Sequence, residues 1–174
     1  MNEDPKRKIR ETLSEMAMET GIEKINVSML VKKCGISRTL FYYYYEDIFA
    51  VLDDILMTEF GKLVTACMKI DNHQESIRYF VSNYVEHFLI LRKILRTKYY
   101  EQAERMIAQV IRKYLRIMLT HKAGDLPMKY DDAEFIIDFV SNGMTVYFFQ
   151  HCEDTKFDVD YASEHFYQMI MNLF

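Results

Sequence analysis

A run of four tyrosines, residues 42–45, is the first feature of this 174-residue sequence that could do chemistry. Successive residues on a helix point about 100° apart, so four such side chains cannot all face one core. Phe41 and Tyr45 lie four residues apart and are expected to point inward together. Tyr42, Tyr43 and Tyr44 then keep partly exposed hydroxyls, which can donate hydrogen bonds to phosphate oxygens. The alternative for this run is a tyrosine-rich packing patch without a ligand.

Arg38 and Thr39 lie just before the tyrosines, in the first turn of the same predicted helix. When a helix enters the major groove of DNA, its first turn is the part that reaches the base edges. An arginine there can pair with guanine through two hydrogen bonds, and a threonine methyl can touch thymine. The indicated chemistry is recognition of double-stranded DNA. The candidate DNA-binding residues are Asn26, Ser28, Ser37, Arg38, Thr39, Tyr42, Tyr43 and Tyr44.

Two short helices joined by a tight turn, over residues 26–45, would position these side chains. Apolar residues recur at helical spacing after Asn26, which is the expected N-cap of the first helix. Gly35 supplies the backbone freedom of a sharp turn, and Ser37 is a strong N-cap for the second helix. This arrangement is a helix-turn-helix, whose second helix can lie in the major groove.

Composition and charge are compatible with such a unit. Half of the residues are hydrophobic, which is enough for one domain with a core or for two small ones. Only 5 glycines and 2 prolines interrupt the chain, so long helices are expected and a many-stranded sheet is not. The net charge is −4, but residues 1–48 carry eight basic and eight acidic side chains. Because phosphate contact is a local electrostatic effect, the acidic remainder does not exclude a DNA partner.

Apolar periodicity predicts an all-α chain with about nine helices. The first should run from about residue 5 to the glycine at 21, and the fourth should begin near residue 48 after the capping pair Glu46-Asp47. Later helices are expected over about residues 74–95, 99–121, 131–150 and 158–172. The segment 99–121 could be one helix or two.

Four basic residues, Lys6, Arg7, Lys8 and Arg10, surround the start of the first helix. Such a cluster can be a solvated helix end. It can also contact phosphates, and the helix-turn-helix that follows makes this equally plausible.

Catalytic, metal and cofactor chemistry find little support in the sequence. Paired acids such as Asp53-Asp54 lack a neighbouring nucleophile or glycine loop, and the five histidines are scattered without metal-ligand spacing. Cys34, Cys67 and Cys152 are expected to be buried small hydrophobes in a reducing compartment, with a redox switch as the alternative. No enzyme activity, metal or cofactor is predicted.

The expected location is the cytoplasm. No apolar run reaches the roughly 18 residues of a membrane span. The charged N-terminus is not followed by the apolar stretch of a secretory signal. A membrane is therefore not an expected partner.

The stretch Gly35–Tyr45 resembles the signature of the TetR family of transcription regulators. That signature runs Gly, aliphatic, Ser, two variable positions, Thr, Leu, Tyr, any residue, Tyr or His, and Phe. The glycine, the aliphatic residue, the serine and Tyr42 fall in register, and the resemblance covers roughly residues 9–52. Leu40 stands where threonine is usual, and Phe41 where leucine is usual.

Two further departures concern capping and phosphate contact. Asn26 replaces the common capping threonine, a change that a cap tolerates. Ile48 stands where many members have a lysine that meets a phosphate, which shifts the expected phosphate anchoring onto the tyrosines. This tyrosine-rich variant resembles the branch that contains dihydroxyacetone-kinase-type regulators.

The resemblance implies a DNA-binding domain over residues 1–47 and a helical effector-binding and dimerisation domain over residues 48–174. TetR relatives dimerise through a four-helix bundle made by their last two helices. The implied homodimer interface is Phe135, Phe139, Gly143, Met144, Phe148, Phe166, Met169 and Ile170. An effector pocket is also implied, and its candidate residues are Tyr84, Phe88, Tyr99, Tyr100, Met106, Tyr114, Met118 and Tyr147. For each of these eight, plain core packing is the alternative.

Together these features predict a ligand-controlled repressor. A dimer would hold two recognition helices in successive major grooves of a palindromic DNA operator. An unknown small-molecule effector would weaken operator binding through its differential affinity for two states of the protein. The alternatives are a transcription activator on the same scaffold, with a partner protein instead of a small molecule, and a helical enzyme or adaptor without DNA affinity.

Overall fold

A computed structural model describes the backbone of residues 4–95, 100–122, 130–151 and 157–173, and the side chains of those residues apart from 85–95, 119–122, 130–131 and 173. These ranges contain eight α-helices, one short 3-10 turn (Ile22–Lys24) and no strand, so the all-α prediction is confirmed. The helices are α1 Pro5–Thr20, α2 Val27–Cys34, α3 Arg38–Tyr44, α4 Ile48–Met68, α5 His73–Leu95, α6 Tyr100–Lys122, α7 Tyr130–His151 and α8 Val159–Leu173. The open question about residues 99–121 is answered, because α6 is one continuous helix. No described helix has the length and apolar character needed to cross a bilayer.

Helix α1 begins and ends where local chemistry favours it. The Asp4 side chain accepts a hydrogen bond from the Lys6 amide at 3.0 Å, and a proline occupies the first helical position. Gly21, with φ of 82°, ends the helix and donates its amide to the carbonyl of Ala17 at 3.1 Å. One apolar stripe is buried, formed by Ile9, Leu13 and Met16.

The turn between α2 and α3 is closed by short-range hydrogen bonds. Gly35 adopts the left-handed conformation (φ 67°, ψ 33°) and donates to the carbonyl of Lys32, while the Ile36 amide donates to Val31. This pair of bonds is a Schellman motif, which satisfies the last carbonyls of α2. The Ser37 hydroxyl then accepts from the Leu40 amide at 3.1 Å and begins α3. The predicted turn and cap are confirmed.

Helix α4 connects the helix-turn-helix to the rest of the chain. Asp47 caps it by accepting from the Ala50 amide at 2.9 Å, as predicted for this acidic pair. Its first turns are buried through Ile48, Val51 and Leu52, and the helix packs against α1 at one end and against α5 and α6 further along. The division of the chain at residues 47 and 48 stays a prediction.

Stacked aromatic rings form the core of the body, which we define as α5–α8. Phe80 and Tyr114 stack with their ring centroids 4.2 Å apart and planes 8° from parallel. Tyr84 and Phe148 stack at 4.3 Å. The body is assembled mainly by packing α6 on α7 and α5 on α8, and the two stacked pairs add contacts of α5 with α6 and of α5 with α7.

Candidate nucleic-acid interface

Helix α3 divides its aromatic residues between the core and the solvent. Phe41 and Tyr45 are buried, as predicted from their spacing. Tyr42 and Tyr43 are 56% and 79% exposed. Tyr44 is half-buried and meets the Tyr43 ring edge-on at 4.9 Å, so it packs against the core more than Tyr42 and Tyr43 do. Tyr42 and Tyr43 thus present their rings to solvent on α3.

The first turn of α3 carries the residues expected to reach the bases. Arg38 and Thr39 are both exposed there. The Arg38 guanidinium donates a hydrogen bond to the hydroxyl of Ser28 on α2. Ser28 therefore lies beside the arginine and holds its side chain over the surface shared by α2 and α3.

Asn26 and Ser37 have a local structural role. The Asn26 side-chain oxygen accepts from the Met29 amide at 3.0 Å and caps α2, as Ser37 caps α3. Both residues are exposed, and a carboxamide or a hydroxyl can form further hydrogen bonds. Their proposed contact with DNA stays a prediction.

Arg10 and Lys6 of the basic cluster make contacts within the chain, and phosphate contact by this cluster stays a prediction. The Arg10 guanidinium donates to Asp54 Oδ2 on α4 at 2.8 Å, and the Tyr45 hydroxyl donates to the same oxygen at 2.5 Å. Lys6 Nζ lies 5.4 Å from the centroid of the Tyr45 ring. Two of the four basic side chains are thus directed at α3 and α4, while Arg7 lies 3.9 Å from Glu11 on its own helix.

The cluster formed by Arg10, Tyr45 and Asp54 keeps the Asp54 carboxyl ionised and the Tyr45 hydroxyl protonated. Burial by itself would raise the pKa of Asp54, but the hydrogen bonds from Tyr45 and Arg10 and the positive charge of Arg10 lower it below its ordinary value. Burial first, and then the bond to Asp54, raise the pKa of Tyr45, so its hydroxyl stays a donor. Sequence reasoning missed this cluster. Its only indication was a tyrosine at position 45, where the resembled signature has phenylalanine.

No family model and no curated protein sequence matches the chain. Solved structures do match its fold. "Dihydroxyacetone kinase operon activator DhaS" superposes with a TM-score of 0.66 at 14% identity, covering 97% of this chain and 94% of that one. The fatty acid degradation regulator FadR from Bacillus halodurans has a TM-score of 0.51 at 16% identity, with coverages of 98% and 96%. A transcriptional regulator (TerR/AcrR family) from Aquifex aeolicus VF5 also has 0.51 at 16%, with coverages of 98% and 100%.

The chain has a TetR-like fold. The match spans nearly the full length, so it includes the helix-turn-helix and the helical body together. The predicted fold, an N-terminal helix-turn-helix followed by a helical domain, is thereby confirmed.

Three of the residues predicted to line an effector pocket lie in the core of this TetR-like fold. Tyr84, Tyr114 and Met118 are buried, and both tyrosines stack on neighbouring rings. Burial above all raises the pKa of Tyr114, whose hydroxyl lies 3.4 Å from that of Ser76. For these three residues, the alternative of plain core packing describes their surroundings.

The three other candidates whose side chains the structure describes lie in different surroundings. Tyr100 is exposed and touches Phe149 edge-on, Met106 is half-buried, and Tyr147 packs against Phe157 and Phe166. The side chain of Phe88 and all of Tyr99 lie outside the described residues. In the part of the chain that the structure describes, no group of three or more His, Cys, Asp or Glu could hold a metal ion.

The predicted dimer interface divides into exposed and buried members. Phe135 and Phe139 are 71% and 68% exposed and share one face of α7 with the exposed Gly143. Met144 and Phe148 on the opposite face are buried within the chain, as is Ile170 on α8, so these three are corrected to core residues. Phe166 and Met169 are half-buried against the same core. The sequence analysis missed three exposed apolar residues here, Val146, Tyr161 and Met171.

Gly143, in the middle of α7, does not lie at a close helix crossing within the described part of the chain. A methyl group added at this residue would have no described atom within 4 Å. The residue instead lies on the exposed face of α7 beside Phe139, in an open groove.

Proposed function

We propose that this protein is a sequence-specific DNA-binding transcription regulator. The observation that carries the proposal is α3, which buries Phe41 and Tyr45 while Arg38, Tyr42 and Tyr43 remain exposed. An exposed guanidinium in the first turn suits base recognition, and exposed phenols suit phosphate contact. The TetR-like fold, shared with solved structures named as regulators, supports this function. The activity belongs to residues 1–47 and would be exerted in the cytoplasm.

The regulator acts as a homodimer on a palindromic operator. Exposed apolar side chains on α7 and α8 support this proposal, since two largely exposed phenylalanines on one face of α7, Phe135 and Phe139, are unusual for a monomer. Two-fold symmetry would present two copies of α3 to half-sites about one helical turn apart. Residues 48–174 provide this dimer contact and receive the controlling signal.

Control is proposed to be release from the operator by a small-molecule effector, which makes the protein a repressor. Activation through a partner protein is the second candidate. It is favoured by the similarity to a protein named as an activator, DhaS, and by the stacking of Tyr84 and Tyr114 on neighbouring rings instead of around a space. A reporter gene behind the selected operator separates the two. Deleting the regulator raises expression if it represses and lowers expression if it activates.

The DNA-binding proposal is tested by selecting duplexes from a random library with the full chain and measuring affinity by fluorescence anisotropy. We expect a palindromic sequence to emerge, with an affinity that falls steeply as salt is raised, because phosphate contacts release counterions. Failure to enrich any sequence, together with salt-independent or absent binding, would contradict the proposal. That result would favour a helical enzyme or adaptor.

The dimer is tested by light scattering at micromolar concentration. Wild type should have the mass of two chains, and Phe139→Glu should have the mass of one, because a buried carboxylate opposes association. Tyr79→Glu is the matched control, since Tyr79 is an exposed aromatic residue on α5. A monomeric wild type would rule out the dimer.

A further inference from the structure

Three helices meet at one carboxylate on α4. Asp54 Oδ2 accepts hydrogen bonds from Arg10 on α1 and from the hydroxyl of Tyr45, the residue that directly follows α3. The donors lie 44 and 9 residues away in sequence, so only the tertiary fold brings them together. We call Arg10, Tyr45 and Asp54 the Asp54 latch.

The bonds of the Asp54 latch are of the stronger, charge-assisted kind, because the acceptor is an ionised carboxylate. Water competes weakly with them, since the Arg10 and Asp54 side chains are only 22% and 28% exposed and Tyr45 is buried. The C-terminal end of α3 is therefore tied to α4 by a polar contact as well as by packing. Lys6 over the Tyr45 ring adds a second contact from α1.

Helix α4 is also the element that enters the body. It continues from Asp54 for almost four further turns to Met68, and it packs against α5 and α6. If the end of α4 that packs on the body rotates or shifts, the rigid helix carries that movement to the residues bonded near its start. Through the Asp54 latch, the element bonded there is the end of the recognition helix.

We propose that Arg10, Tyr45 and Asp54 are positioning residues that make the recognition helix turn with α4 as one rigid unit. The latch sets the angle at which α3 is presented and hence the separation of the two recognition helices in a dimer. This inference rests on the proposed function. It adds to that function the residues through which the body and the DNA-binding domain are coupled.

The test uses the full-length chain with Tyr45→Phe and Asp54→Ala. Tyr45→Phe removes only the hydroxyl and keeps the buried ring, so the fold should persist, and Asp54→Ala tests the same latch at a partly exposed helical position. Asp53→Ala is the control, because it removes an identical charge from the exposed neighbour on α4. Circular dichroism establishes that each variant is helical.

Two measurements decide the outcome. The first is amide hydrogen exchange in α3 without DNA, which should be faster in both latch variants than in wild type. The second is affinity for the duplex selected by wild type and for versions with the half-sites one base pair closer or further apart. We expect both latch variants to bind the selected duplex about fivefold or more weakly and to lose much of the discrimination between spacings.

The direction of the change in DNA affinity distinguishes loss of the Asp54 latch from the general effect of removing a negative charge. Removing an acidic residue near DNA should strengthen binding, so Asp53→Ala should bind at least as tightly as wild type, while Asp54→Ala binds more weakly. Wild-type exchange in α3, or a wild-type spacing preference in both latch variants, would overturn the inference. A wild type that selects no duplex contradicts the proposed function instead.

Discussion

The proposed DNA-binding domain, residues 1–47, and the body obtain their structure in different ways. In the former, each turn is closed by residues within a few positions of one another, such as Asn26 on the Met29 amide and Ser37 on the Leu40 amide. In the body, the two closest stacked pairs join side chains 34 and 64 residues apart, Phe80 on Tyr114 and Tyr84 on Phe148. Because the caps and turn are made by residues near one another in sequence, the outer face of α3 stays exposed and available to a ligand. In the body, by contrast, the stacked aromatic rings are buried in the core.

This difference teaches that similar residues can carry opposite meanings in one chain. Tyr42 and Tyr43 on α3 are exposed because a short helix has one buried face and a turn at each end. Tyr84 and Tyr114 are enclosed because long helices pack on several sides of them. Four sets of variants, from the largest expected effect to the smallest, test this comparison.

Removing a stacked ring from the body should have the largest effect. Phe80→Ala should lower the free energy of unfolding by about 3–5 kcal/mol, because it removes buried surface and leaves a cavity beside Tyr114. Urea denaturation of wild type, Phe80→Ala and the milder Phe80→Leu measures this. A loss below about 1 kcal/mol for Phe80→Ala would mean that the stack is not what holds the body together.

On the DNA-binding domain, substitutions should alter binding and leave stability almost unchanged. Arg38→Ala should weaken specific binding by about 1–3 kcal/mol and relax the preference at one base pair. Tyr42→Phe should weaken binding more evenly across sequences, since a phosphate contact carries no sequence information. Anisotropy against a panel of single-base operator variants measures both. An unchanged sequence preference in Arg38→Ala would rule out base recognition by this residue.

The local turn can be tested with a pair of glycines. Gly35→Ala should cost about 1–2 kcal/mol of stability, because Gly35 is in the left-handed region that an L-residue disfavours. Gly61→Ala, within α4, should instead stabilise by about 0.5–1 kcal/mol. A methyl group at either site meets no atom within 4 Å, so only backbone conformation separates the two variants. Thermal or urea unfolding giving the same sign for both would contradict this account.

The smallest effect concerns the acid sensitivity of the latch between the two regions. The pKa of Asp54 is lower in the folded chain than in the unfolded chain. The stability that its ionised carboxylate contributes is therefore present above the ordinary aspartate value of 3.8 and is lost as the pH falls below it. Asp54→Ala should be less stable than wild type by about 1 kcal/mol at pH 7. The gap should close as the pH falls below 4, the range given by the ordinary value. Urea denaturation across this range measures it, with Asp53→Ala expected to show no such convergence.

The helix-turn-helix could be predicted because its determinants lie within a few residues of one another. A glycine before an N-capping serine, with apolar residues at helical spacing, defines α2, the turn and α3 without knowledge of the rest of the chain. The inward direction of Phe41 and Tyr45 follows from the same spacing. The exposed face of α3 was therefore predictable as well.

The body could be predicted only as far as helical spacing allows. An apolar stripe shows that a helix face is covered, but it does not show whether by the same chain, a second chain or a ligand. Phe139 and Met144 both lie on apolar faces of α7, yet one is largely exposed and the other is buried. Helical spacing likewise did not show that the proposed effector residues Tyr84 and Tyr114 are covered by rings from other helices.

The sequence by itself determined an all-helical chain, a helix-turn-helix with its caps and glycine turn, and the side chains that α3 presents to solvent. These follow from backbone conformation and hydrogen bonds between near neighbours. Only the tertiary structure decided which body aromatics stack in the core, which face of α7 remains uncovered, and that Arg10 and Tyr45 converge on Asp54. Those outcomes depend on contacts between residues distant in sequence, which periodicity and local propensity do not specify.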